Sequence, residues 1–260
     1  MTEFHYAYAF SGLLVGFLVG MTGVGGGSLM TPILILFFRI HPQAAVGTDL
    51  LFATMTKSVG TLVHGSQRTV DWSIVRLLAS GSIPATLMTL GILHGVGAPS
   101  DGVAHFMTHA IGVALLITAP SVLFRREIQR WAQNRGSQLE DRHVTLLTVL
   151  LGVALGALVT ISSVGAGAIG LAAMIMLYPK RDFARLVGAD IAHAVPLTLV
   201  AGLGHWWFGA VDLSLLASLL AGSIPGVMLG SLSIDVMPAR FQQAVLGVVL
   251  LAIGFKLVTS

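Results

Sequence analysis

The sequence predicts an all-α integral membrane protein with two inverted repeats, each with a Gly-broken or re-entrant helix plus three transmembrane helices. Hydrophobic residues occupy 55% of the 260 positions and charged residues only 10%, and the mean hydropathy is +0.89. A soluble domain normally carries roughly 25% charged residues, so this chain lacks the polar side chains to cover a water-facing surface. The first half also recurs in the second about 141 residues later, and each copy contains an apolar region interrupted by glycine.

Several short strings recur in the same order in both halves. Each string and its copy are Val24-Gly25-Gly26-Gly27 and Val164-Gly165-Ala166-Gly167, Val46-Gly47-Thr48-Asp49 and Val187-Gly188-Ala189-Asp190, His64 and His205, Asp71 and Asp212, and Gly81-Ser82-Ile83-Pro84 and Gly222-Ser223-Ile224-Pro225. A duplication of this kind in an apolar chain is typical of membrane transporters whose binding site lies between the halves.

Six segments are long enough to cross a hydrocarbon core as single helices of about 20 residues. They are residues 44–65, 72–93, 102–124, 183–205, 212–233 and 239–258. The regions 7–38 and 144–178 are apolar but too long for one crossing, and glycine-containing breaks at 23–27 and 162–167 interrupt them. The piece from Ser28 to Phe38 would form about 16 Å of helix, roughly half a bilayer. Such pieces favour a broken or re-entrant helix, since non-helical backbone at that depth must face protein or a wet cavity.

The distribution of basic residues favours hairpins in both interrupted regions. If each region enters and leaves on one face, the other face carries only Arg39 and Lys256, while Lys57 lies within the membrane. The positive-inside rule then places the N-terminus outside and the connector in the cytoplasm. Three crossings remain per half, so the halves run in opposite directions. The predicted units are repeat 1 (1–124), a cytoplasmic linker (125–143) and repeat 2 (144–260); eight simple crossings are the alternative.

Composition and motifs argue against several functional classes. The chain has no cysteine, which removes disulfides and thiolate metal sites. Its formal charge of +3 does not indicate a nucleic-acid partner, because the arginines lie in short loops between apolar spans. His105 and His109 are one helical turn apart but have no further ligand, so we predict no metal site and no cofactor. We expect a multi-pass protein of the inner membrane; the oligomeric state stays open.

The two glycine breaks form the predicted anion site. Glycine lets backbone N–H groups turn inward, and a helix that begins after the break directs its positive dipole end at the cavity. Hydroxyl groups beside the breaks add further donors. The predicted substrate-binding residues are Gly25, Gly26, Gly27, Ser28, Thr48, Lys57, Ser162, Ser163, Gly165 and Gly167. Close helix packing is the alternative reading of glycine in membranes, and we favour it for Gly16, Gly20, Gly152 and Gly156.

The ionisable residues inside predicted spans are the second group of candidates. Lys57 lies about 12 Å from the end of its helix, beyond the easy reach of a snorkelling lysine. It is interpreted as the countercharge of an anion or as the partner of Asp49. Asp49 and Asp190 recur at one repeat position, and His193 follows Asp190 by one turn. We predict that these three residues carry a coupling proton, although helix-start carboxylates satisfied by backbone N–H groups are an equal alternative for the two aspartates.

At these residues the chain resembles the sulfite exporter TauE/SafE family, also called the 4-toluene sulfonate uptake permease superfamily. The resemblance rests on the glycine-rich segment 16–27, on Ala45-Val46-Gly47-Thr48, on His64 with Val70-Asp71-Trp72, and on the weaker second copy of each. It implies a transporter of sulfur-containing anions such as sulfite or organosulfonates, with ion-coupled movement and the duplicated breaks at the substrate. The chain departs from the family pattern at Asp49, where serine is frequent, and at the Gly-Ala-Gly of the second break.

The resulting prediction is a secondary transporter that exports a small sulfur-containing anion and is not an enzyme. Asp49, Asp190 or His193 would carry the proton, and the repeats would alternate between two orientations. Its partners are a small anionic substrate and the lipid bilayer. The alternatives are a channel, a cation or amine carrier that uses Asp49 and Asp190, and an intramembrane serine–histidine hydrolase.

Overall fold

The computed structural model of the chain describes residues 2–22, 29–96, 101–135, 140–232 and 239–259. These ranges are helical and contain no strand. The helices are α1 (Thr2–Thr22), α2 (Met30–Phe38), α3 (Pro42–Ser66), α4 (Trp72–Gly95), α5 (Asp101–Leu123), α6 (Arg125–Arg135), α7 (Asp141–Ser162), α8 (Ala168–Leu177), α9 (Phe183–Trp207), α10 (Leu213–Leu232) and α11 (Ala239–Thr259). The first predicted break lies outside the described residues.

The second interrupted region is a hairpin of one long and one short helix. α7 has 22 residues and α8 has 10, or about 33 Å and 15 Å of helix. The hydroxyls of Thr148 in α7 and Tyr178 just after α8 share a 2.7 Å hydrogen bond, so α8 runs back along α7. In the first region the rings of Tyr8 and Phe38, the repeat counterparts of that pair, lie 4.8 Å apart. In each region, therefore, the start and the end of the chain lie close together, as in a hairpin.

Glycines allow helices of opposite halves to pack with their backbones in contact. α1 packs on α10, and its counterpart α7 packs on α4, the counterpart of α10. A Cβ atom added at any of four glycines in α1 and α7 would collide with a carbonyl oxygen of the neighbouring helix. The four, each with the residue it meets, are Gly12 (Leu219), Gly16 (Ser223), Gly152 (Leu78) and Gly156 (Ser82). The packing interpretation of Gly16, Gly152 and Gly156 is therefore confirmed.

The repeat counterparts α3 and α9 pack against each other in opposite directions. Thr54 and Thr198 share a hydrogen bond of 2.9 Å between their hydroxyls. The neighbouring contacts along the two helices are Gly47 with His205, Leu51 with Gly202, and Gly60 with Ile191. α5 and α11 are also counterparts, and they too pack in opposite directions, with Gly112 against Gly254 and Leu123 against Gly247. Inverted repeats require this relative direction.

Six helices in the described part of the chain are long and apolar enough to cross a membrane, namely α4, α5, α7, α9, α10 and α11. The sequence predicts α3 in this set and places α7 in an interrupted region. α3 has 25 residues, so its length suffices, but Asp49 and Lys57 make it more polar than the six. Large apolar side chains such as Met88 and Phe255 are exposed on the outer surface, as a lipid-facing surface requires.

The polar connector, predicted as a linker, contains a helix, α6. Its side chains Ile128 and Ala132 pack with Ile175 of α8 and Leu186 of α9, while Arg126 and Arg130 are exposed. This amphipathic pattern fixes the orientation of the short helix. The connector is therefore packed on the second half, against the helix that follows the second break.

Candidate functional site

The backbone turns sharply at the second break. α7 ends at Ser162, and the capping residue Ser163 has a left-handed φ of 57°. Gly165 and Gly167 have φ values of 112° and 140°. Glycine adopts such values without steric cost, whereas other residues are strained there. Among the described residues, no acceptor binds the N–H groups of Gly165, Ala166 or Gly167. The break thus offers free backbone donors at the start of α8, as an anion site requires.

The two serines of the break have different roles. The Ser162 hydroxyl donates to the Leu158 carbonyl at 2.7 Å and accepts from the Val164 N–H at 3.1 Å, so it stabilises the turn. The Ser163 hydroxyl is buried and has no partner within the described residues. An unpaired buried hydroxyl is costly unless a ligand or water satisfies it. Ser163 is therefore the stronger of the two candidate ligands.

Lys57 joins the first half of the chain to the break in the second half. Its Nζ atom donates a hydrogen bond of 2.7 Å to the Ala166 carbonyl oxygen, and the side chain is only 7% exposed. The carboxylates of Asp190 and Asp49 both interact electrostatically with this ammonium group, that of Asp190 more strongly. Among the described residues, however, no carboxylate oxygen lies within 4.0 Å of the ammonium group. The charge is buried and incompletely neutralised, which is an arrangement suited to an incoming anion.

Asp49 is held by the helix that follows the first break. Its Oδ2 atom accepts hydrogen bonds from Thr31 of α2, at 3.2 Å from the backbone N–H and 2.5 Å from the hydroxyl. Its Oδ1 atom is buried without a partner in the described structure. The Ser163 hydroxyl is near enough to interact electrostatically with this carboxylate, but the two groups form no hydrogen bond of normal geometry. Two unpaired polar groups from opposite halves therefore share one buried region.

Asp190 and His193 lie on the buried face of α9. Asp190 Oδ1 lies against the start of α8, where a Cβ atom added to Gly170 would be 2.8 Å from it. His193 is 1% exposed, and its Nε2 atom is 2.9 Å from the Ser82 hydroxyl of α4. Lys57 acts electrostatically on both residues. All three predicted coupling residues therefore interact electrostatically with the same lysine.

The predicted residues outside this cluster fall into two groups. Gly25, Gly26, Gly27 and Ser28 lie outside the described residues. Thr48 is fully buried, and its hydroxyl accepts a 3.2 Å hydrogen bond from the Asp212 N–H. This contact accounts for the burial of Thr48 without a ligand.

Sequence reasoning missed Thr31 and Ser82, which hold Asp49 and His193. Each is a small hydroxyl residue in an apolar helix, and its partner is 18 or 111 positions away. Ser82 does recur as Ser223, but the repeat alone carries no sign of a histidine partner. Only the packing of α4 on α9 reveals it.

Comparison with known proteins supports one family. The model described as "Sulfite exporter TauE/SafE" matches residues 8–257. The "Probable membrane transporter protein YjnA" of Bacillus subtilis is 40% identical over 248 residues, which are 95% of this chain and 97% of the relative. YdhB of the same organism, with the same description, is 26% identical and covers 86% of this chain and 88% of its own.

A more distant relative is the "Probable membrane transporter protein MJ0441" of Methanocaldococcus jannaschii, 27% identical over 74% of this chain and 68% of its own. No solved structure matches the chain significantly. The family match spans both halves, and the six apolar helices agree with a membrane location. The chain is therefore a multi-pass membrane transporter of the sulfite exporter TauE/SafE family.

Proposed function

We propose that this protein is a secondary transporter that exports a small sulfur-containing anion, such as sulfite or an organosulfonate, through a site formed by Lys57 and the two breaks. The supporting observation is the contact of Lys57 with the Ala166 carbonyl, beside backbone N–H groups that lack acceptors. Sulfite and sulfonates present several oxygen acceptors, which an ammonium group and convergent amides can bind together. The Ser163 hydroxyl would supply a further donor.

Proton coupling follows from the charge balance of this cluster. With Asp49, Asp190 and Lys57 all ionised, the buried net charge is −1, which repels an anion in a medium of low dielectric constant. A proton on either carboxylate makes the cluster neutral and leaves Lys57 available to the substrate. Anion and proton therefore bind together and move in the same direction. A monovalent sulfonate that moves with one proton is electroneutral, so its transport is outward when the outward anion gradient outweighs the inward proton gradient. A divalent sulfite ion with one proton carries a net charge of −1, so an inside-negative membrane potential adds to its export.

Alternating access would come from movement of one inverted repeat against the other. The antiparallel packing of α3 on α9 and of α5 on α11 supports this relation between the halves. The cluster lies across that interface, since Lys57 and Asp49 come from the first half and Ala166 and Asp190 from the second. A rocking motion would expose it to each side in turn.

Flux measurements in proteoliposomes test the proposal. Liposomes that contain the purified protein and labelled sulfite, or a taurine-like sulfonate, should release the label in a saturable manner that responds to a pH gradient. Lys57→Ala should abolish release, while Lys256→Ala, which removes an exposed lysine of α11, should retain it. Release at the wild-type rate from Lys57→Ala would remove this residue from the mechanism. Non-saturable flux would indicate a channel.

A cation or amine carrier is the second candidate, because two buried aspartates face one lysine. In that case Asp49 and Asp190 would bind the substrate, and Lys57 would oppose it. The same liposomes loaded with labelled amines decide between the two. Amine release that increases in Lys57→Ala, with no release of sulfite or sulfonate by the wild type, would favour the second candidate.

A further inference from the structure

A line of buried polar side chains runs between α4, α7 and α9, whereas the described residues of their repeat counterparts α10, α1 and α3 form no second line of this kind. We call it the polar track; its members are Asp190, His193, Ser82, Thr86, Thr160 and His205. Each is buried, with at most 5% of its surface exposed. The three helices are in mutual contact, so the track extends from the cluster around Lys57 toward the end of α9.

Hydrogen bonds connect most of the track. The Ser82 hydroxyl lies 2.9 Å from His193 Nε2. Thr86 follows Ser82 by one helical turn, and its hydroxyl accepts a 3.2 Å hydrogen bond from Thr160. His205 Nε2 donates to the Thr160 carbonyl at 2.9 Å. The other ring nitrogen of His193, Nδ1, is buried and has no partner in the described structure.

The repeat-related positions do not form a second track. The counterparts of His193 and Thr86 are Phe52 and Val227, and that of Thr160 is Gly20. Ser223, the counterpart of Ser82, is fully buried, and its hydroxyl has no partner among the described residues. The same serine therefore occurs in both halves, but only Ser82 meets a histidine.

Few other charged groups face His193. Asp190 lies one turn away on α9, and Lys57 acts on it from α3. α8 has no charged residue, and the charged residues of α7 lie at its first turn. Arg76 of α4 is exposed to the outside. Asp190 is therefore the group with which His193 would exchange a proton, and the charge of Lys57 acts on both residues.

We propose that proton coupling uses the polar track and not its repeat-related positions: His193 exchanges the proton with Asp190, Ser82 positions the imidazole, and the hydroxyls of Thr86 and Thr160 continue the route. The inference rests on the proton-coupled transport proposed above. In the proposed step, the Asp190 carboxyl group comes within hydrogen-bond distance of the unpartnered Nδ1 atom of His193 and gives it a proton, and Nε2 releases its own proton to the Ser82 oxygen. The Ser82 hydroxyl passes its proton onward, with water completing the turn to Thr86.

The pair Ser82→Ala and Ser223→Ala tests the proposal with a matched control. Both variants lose one buried serine hydroxyl from a repeat-related position. Two rates are measured in proteoliposomes: exchange of labelled sulfite across the membrane, which needs no net proton transfer, and net sulfite flux with proton movement followed by a pH-sensitive dye. We expect Ser82→Ala to lower net flux about tenfold or more while exchange stays within about twofold. Ser82→Thr, which keeps the hydroxyl, should restore net flux.

The control separates this inference from the proposed function. Equal behaviour of Ser82→Ala and Ser223→Ala, in a wild type that couples sulfite to protons, would overturn the inference alone. A wild type whose net sulfite flux proceeds without proton movement would overturn both the coupling and the inference. If Ser82→Ala lowers the yield of folded protein, Thr86→Val repeats the test one turn further along the track. Wild-type coupling in that variant would also contradict the proposal.

Discussion

The Lys57 ammonium group donates a hydrogen bond of 2.7 Å to the Ala166 carbonyl oxygen, 109 positions later in the chain. The lysine lies in the interior of α3, and the carbonyl belongs to the turn between α7 and α8. A single contact thus connects a buried charge of one half to the non-helical backbone of the other. The ammonium group has three N–H donors, so an anion could bind Lys57 beside this carbonyl, at the contact between the halves.

The glycines of the second break should be intolerant of a side chain. Gly167→Ala places a Cβ on a residue with φ of 140°, and we expect the free energy of unfolding to fall by about 1–3 kcal/mol and transport to decrease with it. Gly91→Ala is the control, because Gly91 lies within α4 with open space around it and should be neutral or gain up to about 1 kcal/mol. Unfolding in detergent and flux measure the two effects. A neutral Gly167→Ala would contradict this account of the turn.

Lys57 should be coupled more strongly to Asp190 than to Asp49, because the electrostatic interaction of its ammonium group with the Asp190 carboxylate is the stronger of the two. Two double-mutant cycles of unfolding free energy in detergent test this, with Lys57→Met combined with Asp190→Asn or with Asp49→Asn. We expect a coupling energy of about 1–3 kcal/mol for the first pair and a smaller one for the second. Additive effects in both cycles would mean that the three residues do not form one electrostatic cluster.

An ion pair outside the membrane spans should make part of the stability depend on pH. Arg181 Nε lies 3.8 Å from Asp71 Oδ2, between the α8–α9 loop and the start of α4. Burial opposes ionisation of Asp71, but hydrogen bonds from Ser73 and the charge of Arg181 outweigh it and lower the pKa of the carboxyl group. Because the folded state holds the ionised form more strongly, this stabilisation is present above about pH 4 and is lost as the pH falls further.

Asp71→Asn should therefore destabilise the protein by up to about 1 kcal/mol at pH 7, and the difference from wild type should shrink toward pH 3. Asparagine can still cap the helix, so the variant removes the charge and not the cap. Asp212→Asn is the matched control, since Asp212 caps α10 through the N–H groups of Ser214 and Leu215 and has no ion-pair partner in the described structure. Equal pH dependence of the two variants would rule out a role for Arg181.

The antiparallel contact of α3 and α9 can be tested by cross-linking, because the natural chain contains no cysteine. The hydroxyls of Thr54 and Thr198 are 2.9 Å apart, which brings their Cβ atoms near the separation of a disulfide. Thr54→Cys with Thr198→Cys should form an intramolecular disulfide on oxidation. Thr54→Cys with Leu203→Cys, more than one turn further along α9, should not. The reverse result would require another register for the two halves.

The sequence indicates the outline of the site better than its details. The recurrence of Asp49 as Asp190 and the depth of Lys57 in its helix are visible in the chain, because buried charges stand out against an apolar background. The contact of Lys57 with Ala166 is not, since any backbone carbonyl is a possible acceptor. Helix α6 was missed because it is short and polar. Ala132 becomes a core residue, with Ile128 packed beside it, only when α8 packs against the helix.

The most direct test of the central claim is equilibrium binding of labelled sulfite and of a sulfonate to the purified protein. We expect saturable binding by the wild type and by Lys256→Met, and at least a tenfold loss of affinity in Lys57→Met, because a charged hydrogen bond in a buried site contributes about 1.5–3 kcal/mol. Unchanged affinity in a folded Lys57→Met protein would contradict an anion site built on Lys57 and the break between α7 and α8.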